Sequence, residues 1–239
     1  MKKIYQKLLL TYGPQGWWPI WHADASKRYR MGSYDHPRNE KELLEICVGA
    51  LLAQNTSWKN AEKAVEQLSK KGYFDSVKKL STTKKEIVIP LIRSAGYYNQ
   101  KADRIIRFAQ HVKENHGTMT TMLKQPAETL RAELLGINGV GEETADSILV
   151  YAAHQPYFIA DAYARRILTR VHGWGKEPTY GKMVSFVHEK MPPKPKNYVA
   201  YNEFHSLLVE HAKRYCTKTD PKCMHCPLRA GCRSALVQK

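Results

Sequence analysis

Residues 41–53, KELLEICVGALLA, open with apolar side chains at helical spacing and finish apolar on nearly every side. A helix that loses its polar face belongs in an interior, so the pattern predicts a central buried helix. Residues 100–116 keep two faces, with Ile105, Ile106, Phe108, Ala109 and Val112 together on one of them. The same period runs through 144–153, 162–171, 182–190 and 198–215. No run alternates with period two, and short hairpin signals are absent. The fold class is all-α. Three stretches interrupt the period: a loop over 13–40 rich in Gly, Pro and aromatic residues, a proline-stiffened linker MPPKPK at 191–196, and residues 216–232.

Charge narrows the function classes. Lys and Arg number 38 against 22 Asp and Glu, a formal net charge of +16 on 239 residues. Such a charge repels itself, and a polyanionic partner, nucleic acid above all, accounts for it. No apolar run reaches membrane-spanning length. The start, MKKIYQKLLL, has neither an adequate apolar core nor a cleavage site for a secretory signal. A cytoplasmic, monomeric protein without a membrane partner is the expectation.

The chemistry begins with Cys216, Cys223, Cys226 and Cys232, spaced C-x6-C-x2-C-x5-C. Four thiolates in so short a segment suit one tetrahedral sulfur site, either a [4Fe–4S] cluster or a structural zinc. Zinc loops usually present two C-x2-C pairs, and here Cys223 and Cys226 form a single one, so the asymmetric loop suits the cluster better. Lys218, Lys222, Arg229 and Arg233 lie in or beside the loop and are candidates for phosphate contact. Cys47, inside the apolar helix, reads as a small core residue.

Upstream, residues 135–146 read LGINGVGEETAD. Gly139 and Gly141 flank Val140 in a turn between two helices, where glycine permits positive φ and close backbone approach. Val140 suits an inward apolar plug. The amides opening the following helix suit a phosphate oxygen. Asp161 precedes an amphipathic helix in FIADAYARRILTRV, where it reads as an N-cap or as a functional carboxylate.

The cysteine spacing, this hairpin and the aspartate about twenty residues beyond it resemble the endonuclease III family of DNA glycosylases, within the helix-hairpin-helix superfamily with a catalytic aspartate. The resemblance implies a two-domain fold. A six-helix domain would occupy 41–150. A discontinuous cluster domain would comprise 1–40 and 151–239, with a [4Fe–4S] cluster in the 216–232 loop. It further implies double-stranded DNA containing a damaged base as partner, backbone contact through Gly139, Val140 and Gly141, and Asp161 facing the sugar of an extruded nucleotide. Endonuclease III itself carries a lysine in the hairpin, G-V-G-x-K-T-A, which forms an imine with the sugar. Here that position is Glu143, so strand cleavage is not expected and water is the expected nucleophile. Glu143 reads equally as a first-turn acid or as part of a base pocket.

Within that family, Trp17-Trp18-Pro19, Gln54-Asn55-Thr56-Ser57-Trp58, the Gly96–Lys101 segment and Glu143 resemble the 3-methyladenine glycosylase III branch over residues 13 to about 175. That branch's alkyladenine enzyme lacks the four-cysteine loop. Trp17, Trp18, Pro19, Trp58 and Glu143 are then candidates for a base pocket, and Gln54 for filling the place of the extruded base. An alkylated purine is cationic, and attraction to a tryptophan face is worth roughly 0.5–2 kcal/mol. The expected activity is monofunctional base excision on alkylated purines such as 3-methyladenine. The alternatives are a mismatch glycosylase for thymine, uracil or adenine, a glycosylase/lyase, and a non-catalytic binder of DNA structures.

Overall fold

The computed structural model describes residues 1–21, 29, 31–194 and 197–237. Thirteen α-helices and short 3-10 turns make up its regular structure, and no strand occurs among the described residues. The helices are α1 (Lys2–Tyr12), α2 (Glu40–Leu52), α3 (Trp58–Lys70), α4 (Val77–Thr82), α5 (Lys85–Val88), α6 (Tyr98–Asn115) and α7 (Met119–Leu123), then α8 (Ala127–Gly136), α9 (Glu142–Tyr151), α10 (Ala162–His172), α11 (Tyr180–Lys190), α12 (Tyr198–Arg214) and α13 (Arg233–Val237). The six segments with a clear helical period become α2, α6, α9, α10, α11 and α12, displaced by at most a few residues. Pro195 and Lys196 of the linker, and part of the 13–40 loop, lie outside the described residues.

The chain forms two compact units, Trp18–Tyr29 with Ser33–Gln155, and Met1–Trp17 with Arg30–Gly32 and Pro156–Lys239. The sequence sets boundaries near 40 and 150. The units divide at 17/18 and 155/156, because Trp18 and the buried Ile20 pack with the residues that follow them.

In the first of these units α2 is the axis. Asn39 caps it by accepting from Glu42 N (3.0 Å), and Glu42 in return accepts from Arg38 N (2.7 Å) and Asn39 Nδ2 (3.2 Å). Residues 44–52 are all buried, as the all-round apolar pattern requires. Lys101, only 1% exposed, donates from Nζ to Leu52 O (2.8 Å) and Ala95 O (2.7 Å). It thereby satisfies terminal carbonyls of α2 and of the 3-10 turn Ile89–Ala95.

The other unit is built from both ends of the chain. Leu8 of α1 packs in one core with Phe158, Ile167, Met183, Tyr201, Phe204 and Leu208. Glu203 of α12 is fully buried and accepts from Gln15 N (2.9 Å) and Gly16 N (3.2 Å). A carboxylate satisfied by two consecutive amides anchors the backbone leading into Trp17. Gly173, at φ 65°, ends α10, and Trp174 N reaches back to Thr169 O (3.0 Å).

Candidate functional site

The hairpin is α8, a turn through Asn138–Gly141, and α9. Gly139 lies at φ 98°, and a Cβ there would meet Arg104 Cγ at 2.5 Å. Both conformation and space therefore require glycine. Gly141 is extended and caps α9, and Val140 is buried. Two arginines of α6 hold the turn from below. Arg107 donates to Asn138 O and Oδ1 (both 3.1 Å), and Arg104 donates to Gln54 Oε1. Gln54 Nε2 in turn donates to Gly139 O (2.9 Å) and Thr144 Oγ1 (2.8 Å). Gln54 thus braces the hairpin in this state. Behind the turn, Arg131 of α8 pairs with the fully buried Asp146 of α9 at 2.6 Å. Glu143 is exposed in the first turn of α9.

In the same unit Trp18 meets Trp58 edge to face, centroids 4.7 Å apart, and leans on Tyr151 at 5.1 Å. Gly49 makes room for the indole: a Cβ there would lie 3.2 Å from Trp18 Cζ2. Pro19 is buried. Trp17 belongs to the other unit, where its ring lies 6.0 Å from His205, edge to face. The two adjacent tryptophans therefore serve different cores.

Asp161 caps α10 by accepting from Ala164 N at Oδ1 (2.7 Å). Its Oδ2 is 3.5 Å from His205 Nε2, and both side chains are about nine-tenths buried. One oxygen is committed to the backbone, and the other faces an imidazole. The cap expected of this residue type is present, and the second oxygen adds an electrostatic partner from α12.

In that unit too, Cys216, Cys223, Cys226 and Cys232 line one cavity of about 330 Å³, together with Ile167, Arg170 and His211. None of the four is in a disulfide. Arg170 is the organiser. It donates to Cys216 Sγ (3.3 Å), Thr217 O (2.7 Å) and Lys218 O (2.9 Å), while Arg166 donates to Cys216 O (2.9 Å). His211 Nδ1 is 2.8 Å from Tyr12 Oη, and its Nε2 is 3.5 Å from Cys226 Sγ. Burial pulls the His211 imidazole down to about 4, so it faces the sulfurs neutral. Burial, with the neighbouring thiols, pushes Cys226 and Cys232 up. Lys218, Lys222 and Arg233 are exposed and Arg229 is half-buried. Arg233 also donates to His172 O (3.4 Å) at the end of α10.

Residues 48–193 match the family model described as HhH-GPD superfamily base excision DNA repair protein. The chain belongs to the HhH-GPD superfamily. A Methanocaldococcus jannaschii protein assigned as a DNA repair glycosylase is 39% identical over 234 residues, 97% of this chain and 95% of its own. Endonuclease III of Thermotoga maritima is 28% identical, covering 82% and 86%. Among solved structures, the Helicobacter pylori 3-methyladenine DNA glycosylase bound to 1,N6-ethenoadenine superimposes with a TM-score of 0.68 at 24% identity, over 89% of this chain and 96% of that one. This all-α HhH-GPD chain is a DNA repair glycosylase. Arg104, Arg107, Arg166, Arg170, Tyr151 and His205 escape a reading of the sequence. The arginines look like ordinary polar-face residues of helices, and Tyr151 and His205 lie inside apolar helical stretches.

Proposed function

We propose that this HhH-GPD glycosylase is monofunctional, hydrolyses the N-glycosidic bond of an alkylated purine extruded from double-stranded DNA, and carries a [4Fe–4S] cluster. The single observation that carries the reading is the Trp18–Trp58–Tyr151 aromatic group beside a hairpin whose amine position is Glu143. A polarised aromatic group favours a cationic base over a neutral one of the same shape. Bond cleavage sends the glycosidic electron pair to the departing base and leaves positive charge on the sugar, which Asp161 Oδ2 stabilises while water adds. A cationic base leaves readily, so a strong acid to protonate it is dispensable. Lys101, the lysine held down to about 8 by burial and by the charge of Arg104, is enclosed with its Nζ on two carbonyls and is a poor imine former.

The cysteine loop supports the cluster reading. The four thiols line one cavity of about 330 Å³, and a four-thiolate set is the ligand set of iron–sulfur cubes. Buried thiols that raise one another's pKa need a cationic centre to ionise together. Cys216, Cys223, Cys226 and Cys232 would hold the group, which supplies a structural cross-link. Arg170 fixes the loop around it and leaves Lys218 and Lys222 exposed for phosphate.

The test is a base-release screen on duplexes with defined lesions, together with iron analysis of anaerobically purified protein. Release of 3-methyladenine in preference to uracil, thymine glycol and mismatched bases is expected, with about four irons per chain. Release of only oxidised pyrimidines overturns the substrate, and stoichiometric zinc alone overturns the cluster.

A further inference from the structure

We propose that His111, His116 and Glu133 form a second metal site, for a divalent cation such as Zn²⁺, which clamps the end of α6 to the first helix of the hairpin. The three donor atoms all lie within 4.8 Å of one another. His111 Nε2 and His116 Nε2 are each 2.6 Å from the same oxygen, Glu133 Oε1. The residues come from the last turns of α6, its C-cap and α8, so the cluster is made by folding and not by one peptide segment.

Two imidazoles and a carboxylate are the ligand set of three-residue zinc sites that keep a fourth position open. Bond lengths near 2.0–2.2 Å set a donor–donor edge of roughly 3.3 Å in a tetrahedron. The 2.6 Å contacts need to open by less than about 1 Å to admit the ion. Each Nε2 gives up the proton it donates to Glu133 and turns its lone pair to the metal, each ring keeps one proton on Nδ1, and the proton in excess passes to solvent.

The surroundings are those of a supported ligand set. Gln125 Nε2 donates to Glu133 Oε2 (2.6 Å), which turns Oε1 toward the histidines. Asn115 Nδ2 donates to His111 O (2.9 Å) and lies 3.4 Å from His111 Nδ1, which packs the amide against that ring. Such outer partners typically govern affinity by 10–100-fold. Burial alone would raise the Glu133 carboxyl. Hydrogen bonds from Gln125, His111 and His116, with charge on His116, bring it instead down to about 2, so the oxygen is anionic. The side chains of His111, His116 and Glu133 are 28%, 16% and 19% exposed, open enough for an ion to enter. The clamp joins α6 to α8, while Arg107 and, through Gln54, Arg104 tie α6 to the turn that follows. It therefore stiffens the DNA-facing hairpin through the last turn of α8, just before the loop.

The experiment adds Zn²⁺ to full-length, anaerobically purified protein and follows stoichiometry, thermal midpoint and zinc X-ray absorption. One equivalent is expected beyond any metal held by the cysteines, with a raised midpoint and only nitrogen and oxygen neighbours near 2.0 Å. His116→Ala and Glu133→Gln should each weaken binding at least tenfold with iron content unchanged. Should either fail to fold, Gln125→Ala, which leaves all three ligands in place, should still weaken binding about tenfold or more. No zinc uptake beyond the cysteine loop overturns the proposal. So do a sulfur neighbour at 2.3 Å and undiminished uptake by the folded variants.

Discussion

Asp161 holds two positions at once, and substitution can separate them. Its Oδ1 accepts from Ala164 N at 2.7 Å, and its Oδ2 faces His205. Asp161→Ala removes the cap, at a cost of about 1 kcal/mol. For a chain of this length that lowers the thermal midpoint by roughly 2–4 °C. Asp161→Asn keeps an acceptor for Ala164 N and loses only the charge at the helix start, worth about 0.3–1 kcal/mol. The folded fraction at 25 °C is near unity in both. Activity should follow the charge and not the cap. Losing a preorganised electrostatic group typically costs 10²–10³ in rate, so both variants should fall by about that much. The assay is single-turnover base release with enzyme in excess, beside thermal denaturation and duplex affinity. If Asp161→Asn releases base within about threefold of the parent, the carboxylate is a cap alone and the catalytic assignment fails.

Borohydride should trap no covalent protein–DNA adduct, and the abasic product should stay intact until treated with alkali. Glu143→Lys should begin to trap, and trapping by the parent would refute the monofunctional reading. Arg131→Met removes the ion-pair partner 2.6 Å from the fully buried Asp146, which should cost on the order of 3 kcal/mol, about 6–12 °C in thermal midpoint, with much of it regained on adding Asp146→Leu. A midpoint shift below 2 °C for the single variant would show the pair to be dispensable. Lys101 is lowered by burial to about 8, so between pH 8 and about 10.5 the unfolded chain binds the extra proton. Stability relative to Lys101→Met should therefore rise across that window and be flat below it, as read from urea midpoints. A fall would show that the two carbonyls hold the charged form.

The helices that showed in the sequence are those whose burial is decided by their own period. Residues 44–52 could only be interior, and Asp161 could only begin a helix. Four cysteines at irregular spacing announced a shared cavity. What stayed hidden depends on partners far along the chain. Trp17 and Trp18 are adjacent, yet one meets His205 and the other meets Trp58 and Tyr151. Nothing local distinguishes them. Gln54 reads from the sequence as a residue for the place of the extruded base, and its bonds to Gly139 and Thr144 exist only once the hairpin is in place. α1 was read for what it lacked as a signal, and its role appears only when Leu8 meets Phe204 and Leu208.

The unit made from both ends of the chain has a consequence for how the protein is born. Residues 1–17 leave the ribosome well before their core partners, which begin at Pro156. At 5–20 residues per second the apolar side of α1 waits on the order of ten to thirty seconds for them. Meanwhile the intervening unit can complete itself. The cysteine loop and α13 emerge after the whole of that unit, so any cluster is loaded onto a chain whose other unit has had time to fold. A message cut short soon after Gln155 would strand α1 without its core partners and leave a folded hairpin platform between two unfinished tails.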